Sequence, residues 1–125
     1  MPKNKISIGL DLSLVGTGVV IIDDGKITLQ QVIKSKPSGD RPISELRRIQ
    51  LIVTQISEII GDYTPNLAVI ENLAFMARNT TALTQLSGLN YFTRALLAGK
   101  GIPFYLCAPT TLKKFATGKG NCPKD

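Results

Sequence analysis

A chain of 125 residues with 43% apolar content and a net charge of +6 has the length of one domain and too ordinary an apolar fraction for wholesale disorder. It contains no His, which excludes Ser-His-Asp and Cys-His nucleophile systems, a His general base and a His-ligated zinc or iron. Catalysis would have to use carboxylates, Lys, Tyr, hydroxyls or thiols.

Residues 5–10 (KISIGL) alternate apolar and small positions and predict a strand. Asp11 to Gly18 is rich in Gly, Ser and Thr and predicts a turn. The apolar run Val19 to Ile22 predicts a buried strand. Asp24-Gly25 predicts a type I′ hairpin turn, and Lys26 to Lys34 the strand beyond it. A loop at 36–40 precedes a long amphipathic helix, with Asp40 as its expected cap, Pro42 in its first turn and Gly61 as its expected stop. Its apolar positions run Ile43, Leu46, Ile49, Ile52, Ile56 and Ile59.

Residues 67–71 (LAVIE) predict a short strand ending in a carboxylate. A second helix follows, capped at Asn79-Thr80, with Gly88 marking a close approach and Gly99 the end. Residues 103–108 predict a fifth strand, Pro109 opens a short third helix, and 119–125 is a loop. The order β-β-β-α-β-α-β-α describes a mixed α/β layer, antiparallel at the start and parallel afterwards.

The charge divides sharply. Residues 1–71 hold eight bases and eight acids, whereas 72–124 hold seven bases and no acid. An acid-free half suits a polyanionic partner such as nucleic acid, and equally a solubilising surface. Cys107 and Cys122 form no CxxC pair and are expected as free thiols in a reducing cytosol. No segment reads as a signal core or a membrane span, so no membrane partner is expected.

Six acids sit at ordinary exposed positions. Asp11 and Glu71 differ, because each ends an apolar strand. In mixed α/β sheets such strand ends converge on the ligand crevice. If residues 5–10 and 67–71 are parallel neighbours, the two carboxylates lie close together. They then need a proton or a cation between them. With oxygen ligands alone, that cation is Mg²⁺ or Mn²⁺, which suits phosphodiester hydrolysis. The plainer alternative is that Asp11 starts a turn and Glu71 caps one.

Five stretches, taken together and in order, resemble the RuvC-type Holliday junction resolvases, especially the shorter phage-like members, within the ribonuclease H-like (retroviral integrase) superfamily. They are IGLDLSLVGTGV (8–19), AVIENLAFMARN (68–79), QLSGLN (85–90), IPFYLCAPTTLKKF (102–115) and TGKGNCPKD (117–125). The resemblance implies a ribonuclease H-like fold with a mixed five-stranded sheet. It implies a metal-dependent endonuclease that cuts branched DNA, such as a four-way junction, with two Mg²⁺ or Mn²⁺ ions per site and no small-molecule cofactor. Asp11 and Glu71 would be metal ligands and catalytic. Phe75 would be a wedge or stacking residue at the branch point, with core packing as its alternative. Arg78, Lys113, Lys114, Lys119 and Lys124 would contact phosphates, and Lys124 would also offset charge on the scissile phosphate.

The resemblance implies a homodimer matching the two-fold junction, in the cytoplasm of a bacterial or phage-infected cell; the long apolar second helix is the expected interface, and core packing explains its apolar side equally well. Relatives carry a further helix with the remaining active-site acids. It has no counterpart here, so residues 1–125 are expected to be one nuclease domain lacking that helix. Asp125 does not match its acid. Residues 11–18 also resemble the first phosphate loop of actin-like ATPases, but those need a second domain and a second phosphate loop. A catalytically incomplete junction-binding module stays open, as does a structural partner, against which the acid-free half argues.

Overall fold

The computed structural model describes residues 5–71 and 80–107. The elements run β1 (Ile6–Asp11), β2 (Gly16–Asp23), β3 (Lys26–Lys34), α1 (Pro42–Tyr63), β4 (Leu67–Glu71), α2 (Thr80–Gly99) and β5 (Phe104–Cys107). The five strands form one sheet in the order β3-β2-β1-β4-β5. β1, β2 and β3 are antiparallel, and β4 and β5 add in parallel. This is the expected mixed sheet. The third helix expected after Pro109 and the capping residue Asn79 lie outside the described residues.

The β2–β3 hairpin forms as its dipeptide requires. Asp24 and Gly25 have φ of 54° and 84°, the positive values of a type I′ turn. One boundary differs from expectation: β2 begins at Gly16, so Gly16 to Gly18 belong to a strand rather than a turn.

α1 and α2 cover one face of the sheet. Ile49, Ile52, Ile56, Ile59 and Ile60 of α1 and Leu89 and Leu97 of α2 pack with Ile8, Leu10, Val19, Ile21, Ile33, Ala68 and Ile70. Each of these strand residues alternates with one facing the other way, as a period of two demands. The expected close approach at Gly88 is real, since a Cβ there would stand 3.2 Å from Ile49 Cδ1.

Both ends of α1 differ from expectation. Arg41 occupies the N-cap and no side chain caps the helix, so Asp40 does not serve there. Pro42 fills the first turn as expected. The helix runs past Gly61 and stops at Thr64, which is left-handed (φ 48°, ψ 58°) and donates its N–H to the Ile60 carbonyl at 2.8 Å. Pro65 follows and cannot continue a helix. α2 ends at Gly99 as expected, and the left-handed residue that follows it is Gly101 (φ 70°). There the Gly101 and Ile102 N–H groups donate to the Ala98 and Leu97 carbonyls.

Candidate active site at the ends of β1 and β4

β1 and β4 are parallel neighbours, in register from Ser7↔Leu67 to Leu10↔Ile70. Asp11 and Glu71 each stand one residue beyond Leu10 and Ile70. They are therefore level with each other on adjacent strands, which run about 4.8 Å apart. Asp11 pairs with Gly18 on β2, and Glu71 pairs with Cys107 on β5. Leu10 and Ile70 face the helices, so Asp11 and Glu71 share the opposite face. Asp11 is exposed and Glu71 half-buried. The strand-end convergence expected from sequence is thus present.

Asn66 fixes this register where the two strands begin. Its N–H donates to the Ile6 carbonyl at 2.7 Å, and its Oδ1 accepts the Ile6 N–H at 2.9 Å. A slip of one residue would send one carboxylate into the apolar face.

The turn after Asp11 closes on itself through Thr17. The Thr17 hydroxyl donates to the Ser13 carbonyl at 2.6 Å and accepts the Ser13 N–H at 3.1 Å. From outside, Arg48 of α1 secures the same turn. Its Nε donates to Ser35 Oγ at 2.8 Å, and its Nη2 reaches the Leu14 and Ser35 carbonyls at 3.3 Å. Ser35 Oγ itself donates to the Leu14 carbonyl. A guanidinium suits this role because its donors are fixed in one plane. Sequence reasoning named none of Asn66, Thr17 and Arg48. The available signals were slight: Ser and Thr four apart in a Gly-rich stretch, and Asn just before a strand.

Cys107 requires a correction. It is disulfide-bonded rather than a free thiol, and it is buried opposite Glu71. A free thiol read from so few cysteines rested on composition, which carries no information about spatial neighbours. Phe75, Arg78, Lys113, Lys114, Lys119 and Lys124 lie outside the described residues. Among the described residues no group of three or more His, Cys, Asp and Glu side chains gathers as a metal centre. The Asp11–Glu71 pair is a hard-oxygen donor set and fits Mg²⁺ or Mn²⁺ better than a softer metal.

The family model for the crossover junction endodeoxyribonuclease RuvC matches residues 7–125. The chain belongs to the RuvC family. Among RuvC relatives, the Prosthecochloris aestuarii protein is 30% identical over 122 residues, covering 96% of this chain and 64% of that protein. The Roseiflexus sp. (strain RS-1) protein is 33% identical over 122 residues, covering 94% and 70%. The chain thus spans a little under two thirds of the first of these. Among solved structures, Thermus thermophilus RuvC in complex with a Holliday junction superposes with a TM-score of 0.72 at 13% identity, covering 97% of this chain and 83% of that one. The yeast mitochondrial Holliday junction resolvase gives 0.59 at 15% identity, covering 83% and 50%. The five-stranded sheet with its two helices is therefore the ribonuclease H-like fold of RuvC.

Proposed function

We propose that this chain is the nuclease domain of a metal-dependent endonuclease that cuts four-way junctions or other branched DNA. The observation that carries the reading is the level pairing of Asp11 and Glu71 at parallel strand ends, on the sheet face turned away from α1 and α2, in a chain of the RuvC family. Asp11 and Glu71 would hold two Mg²⁺ or Mn²⁺ ions. When bound, such ions supply an activated water and neutralise charge on the leaving oxygen. Asp11 presents its carboxylate from the exposed last residue of β1. Glu71, half-buried, gives the site its second oxygen donor. Asn66 sets the register where β1 and β4 begin, and Thr17 and Arg48 hold the turn that follows Asp11.

Lys124 would lie beside the scissile phosphate. Arg78, Lys113, Lys114 and Lys119 would hold the DNA backbone, and Phe75 would stack at the branch point. Their support is the acid-free charge of residues 72–124 together with family membership. We propose a homodimer formed through α2, whose Tyr91 and Phe92 are 61% and 45% exposed. Arg94 stands 4.7 Å from the Tyr91 ring centroid and orders that surface. The bacterial relatives support action in the cytoplasm of a bacterial or phage-infected cell.

A binding titration in Ca²⁺, with a four-way junction and a matched duplex at several salt concentrations, tests the DNA reading. The junction should bind at least about tenfold tighter, and both affinities should fall as salt rises. Equal, salt-independent binding of the two would contradict it.

A further inference from the structure

We propose that Gly18 is a positioning residue for Asp11: its missing side chain keeps open the β2 flank of that carboxylate, where a hydrated divalent cation seats. The inference rests on the metal-dependent reading above and extends it to a residue that is no ligand.

Gly18 lies third in β2. Glycine weakens a strand interior, and usually marks a bulge, a strained backbone or a close approach. None of the ordinary reasons applies here. The register irregularity of β2 falls at Ile21/Ile22, and Gly18 pairs cleanly with Asp11 on one side and Val32 on the other. The positive-φ glycines are Gly25, Gly39 and Gly101, so Gly18 has a backbone that any L-residue adopts. Packing against the described residues does not explain it either. Among them, a Cβ built at Gly18 would find only Asp11 within 4 Å, at 3.4 Å from its Cβ and 4.0 Å from Oδ2. Those are ordinary contact distances, so a methyl would fit. At Gly16, on the same face, a Cβ would stand 3.1 Å from Val32 Cγ1, and crowding is reason enough for a glycine.

What the hydrogen at Gly18 preserves is therefore space beside Asp11 Oδ2. Val20 and Ile22, the next residues of β2 on this face, are β-branched, so the opening is local. A Mg²⁺ ion sits about 2.1 Å from a carboxylate oxygen and keeps several of its waters. A methyl 4.0 Å from that oxygen would stand where the waters on this flank belong. An isopropyl group would fill the flank.

The test compares the parent chain with Gly18→Ala, Gly18→Val and Asp11→Asn. Three quantities are read: the thermal melting temperature, Mn²⁺ binding without DNA from the electron paramagnetic resonance of free Mn²⁺, and junction cleavage against Mg²⁺ concentration. Gly18→Ala should melt at or above the parent, because alanine suits a strand better. It should nevertheless bind Mn²⁺ about tenfold more weakly, comparable to loss of an outer-shell partner. Excess Mg²⁺ should restore its kcat, so the defect lies in the metal requirement. Gly18→Val should lose still more Mn²⁺ affinity, and if it fails to fold the alanine variant decides. Parent-like Mn²⁺ affinity in Gly18→Ala, or a loss that only tracks a lowered melting temperature, would overturn the proposal. A parent that binds no Mn²⁺, or binds it as well after Asp11→Asn, would overturn the metal reading and this inference together.

Discussion

One hydroxyl, that of Thr17, closes the turn that carries the chain away from Asp11. It is fully buried and is both donor and acceptor for Ser13. Thr17→Val keeps the shape and removes both bonds. That strands two backbone groups and should cost about 1–3 kcal/mol in urea unfolding. Arg48→Ala should cost a similar amount by removing the donors to Ser35 Oγ and the Ser35 carbonyl and leaving the Leu14 carbonyl to Ser35 Oγ alone among the side chains described, and Arg48→Lys should recover only part of it, since an ammonium cannot reach three acceptors in one plane. Asp11 and Glu71 could be read from the sequence because a carboxylate at the end of an apolar run is a local signal. Thr17 and Arg48 could not. Arg48 meets Leu14 across 34 positions, and helical periodicity does not tell which polar residue at the edge of the apolar stripe turns inward.

At the scale of elements, apolar periodicity announced every described strand and helix, while the ends of α1 escaped it. Gly61 read as the stop because glycine commonly ends helices. The chain instead places Thr64 in the left-handed region, a costly choice for a β-branched residue. Pro65 explains the stop, because helix geometry cannot pass it. Two substitutions follow with the same sign. Thr64→Gly relieves the left-handed strain, by about 1 kcal/mol. Gly61→Ala removes a glycine from within α1, where an added Cβ meets none of the described residues, for about 0.5–1 kcal/mol. Thermal melts of the single and double variants should show both gains. Because α1 reaches the strand-end turn through Arg48 alone among the hydrogen bonds described, neither change should alter Mn²⁺ binding.

Across the whole molecule, the sheet separates packing from chemistry. α1 and α2 bury the face of Ile8, Leu10, Val19 and Ile70, and the opposite face carries Asp11 and Glu71. The neutral stretch 1–71 contributes both carboxylates, and residues 72–124 contribute only positive charge. This division was visible in composition. Its geometry was not, because the level pairing of Asp11 with Glu71 depends on a parallel register that Asn66 sets through its N–H and its side-chain Oδ1, both bonded to the Ile6 backbone. Under the proposed function, loss of one carboxylate should remove hydrolysis while leaving DNA binding in place.

The decisive measurement is cleavage of a four-way junction in Mg²⁺ by the parent chain and by Asp11→Asn, with junction binding in Ca²⁺ measured alongside. The expected result is Mg²⁺-dependent cleavage by the parent, a fall of more than about 100-fold in Asp11→Asn, and binding within about twofold of the parent. Cleavage by Asp11→Asn at the parent rate would contradict a catalytic site at the ends of β1 and β4.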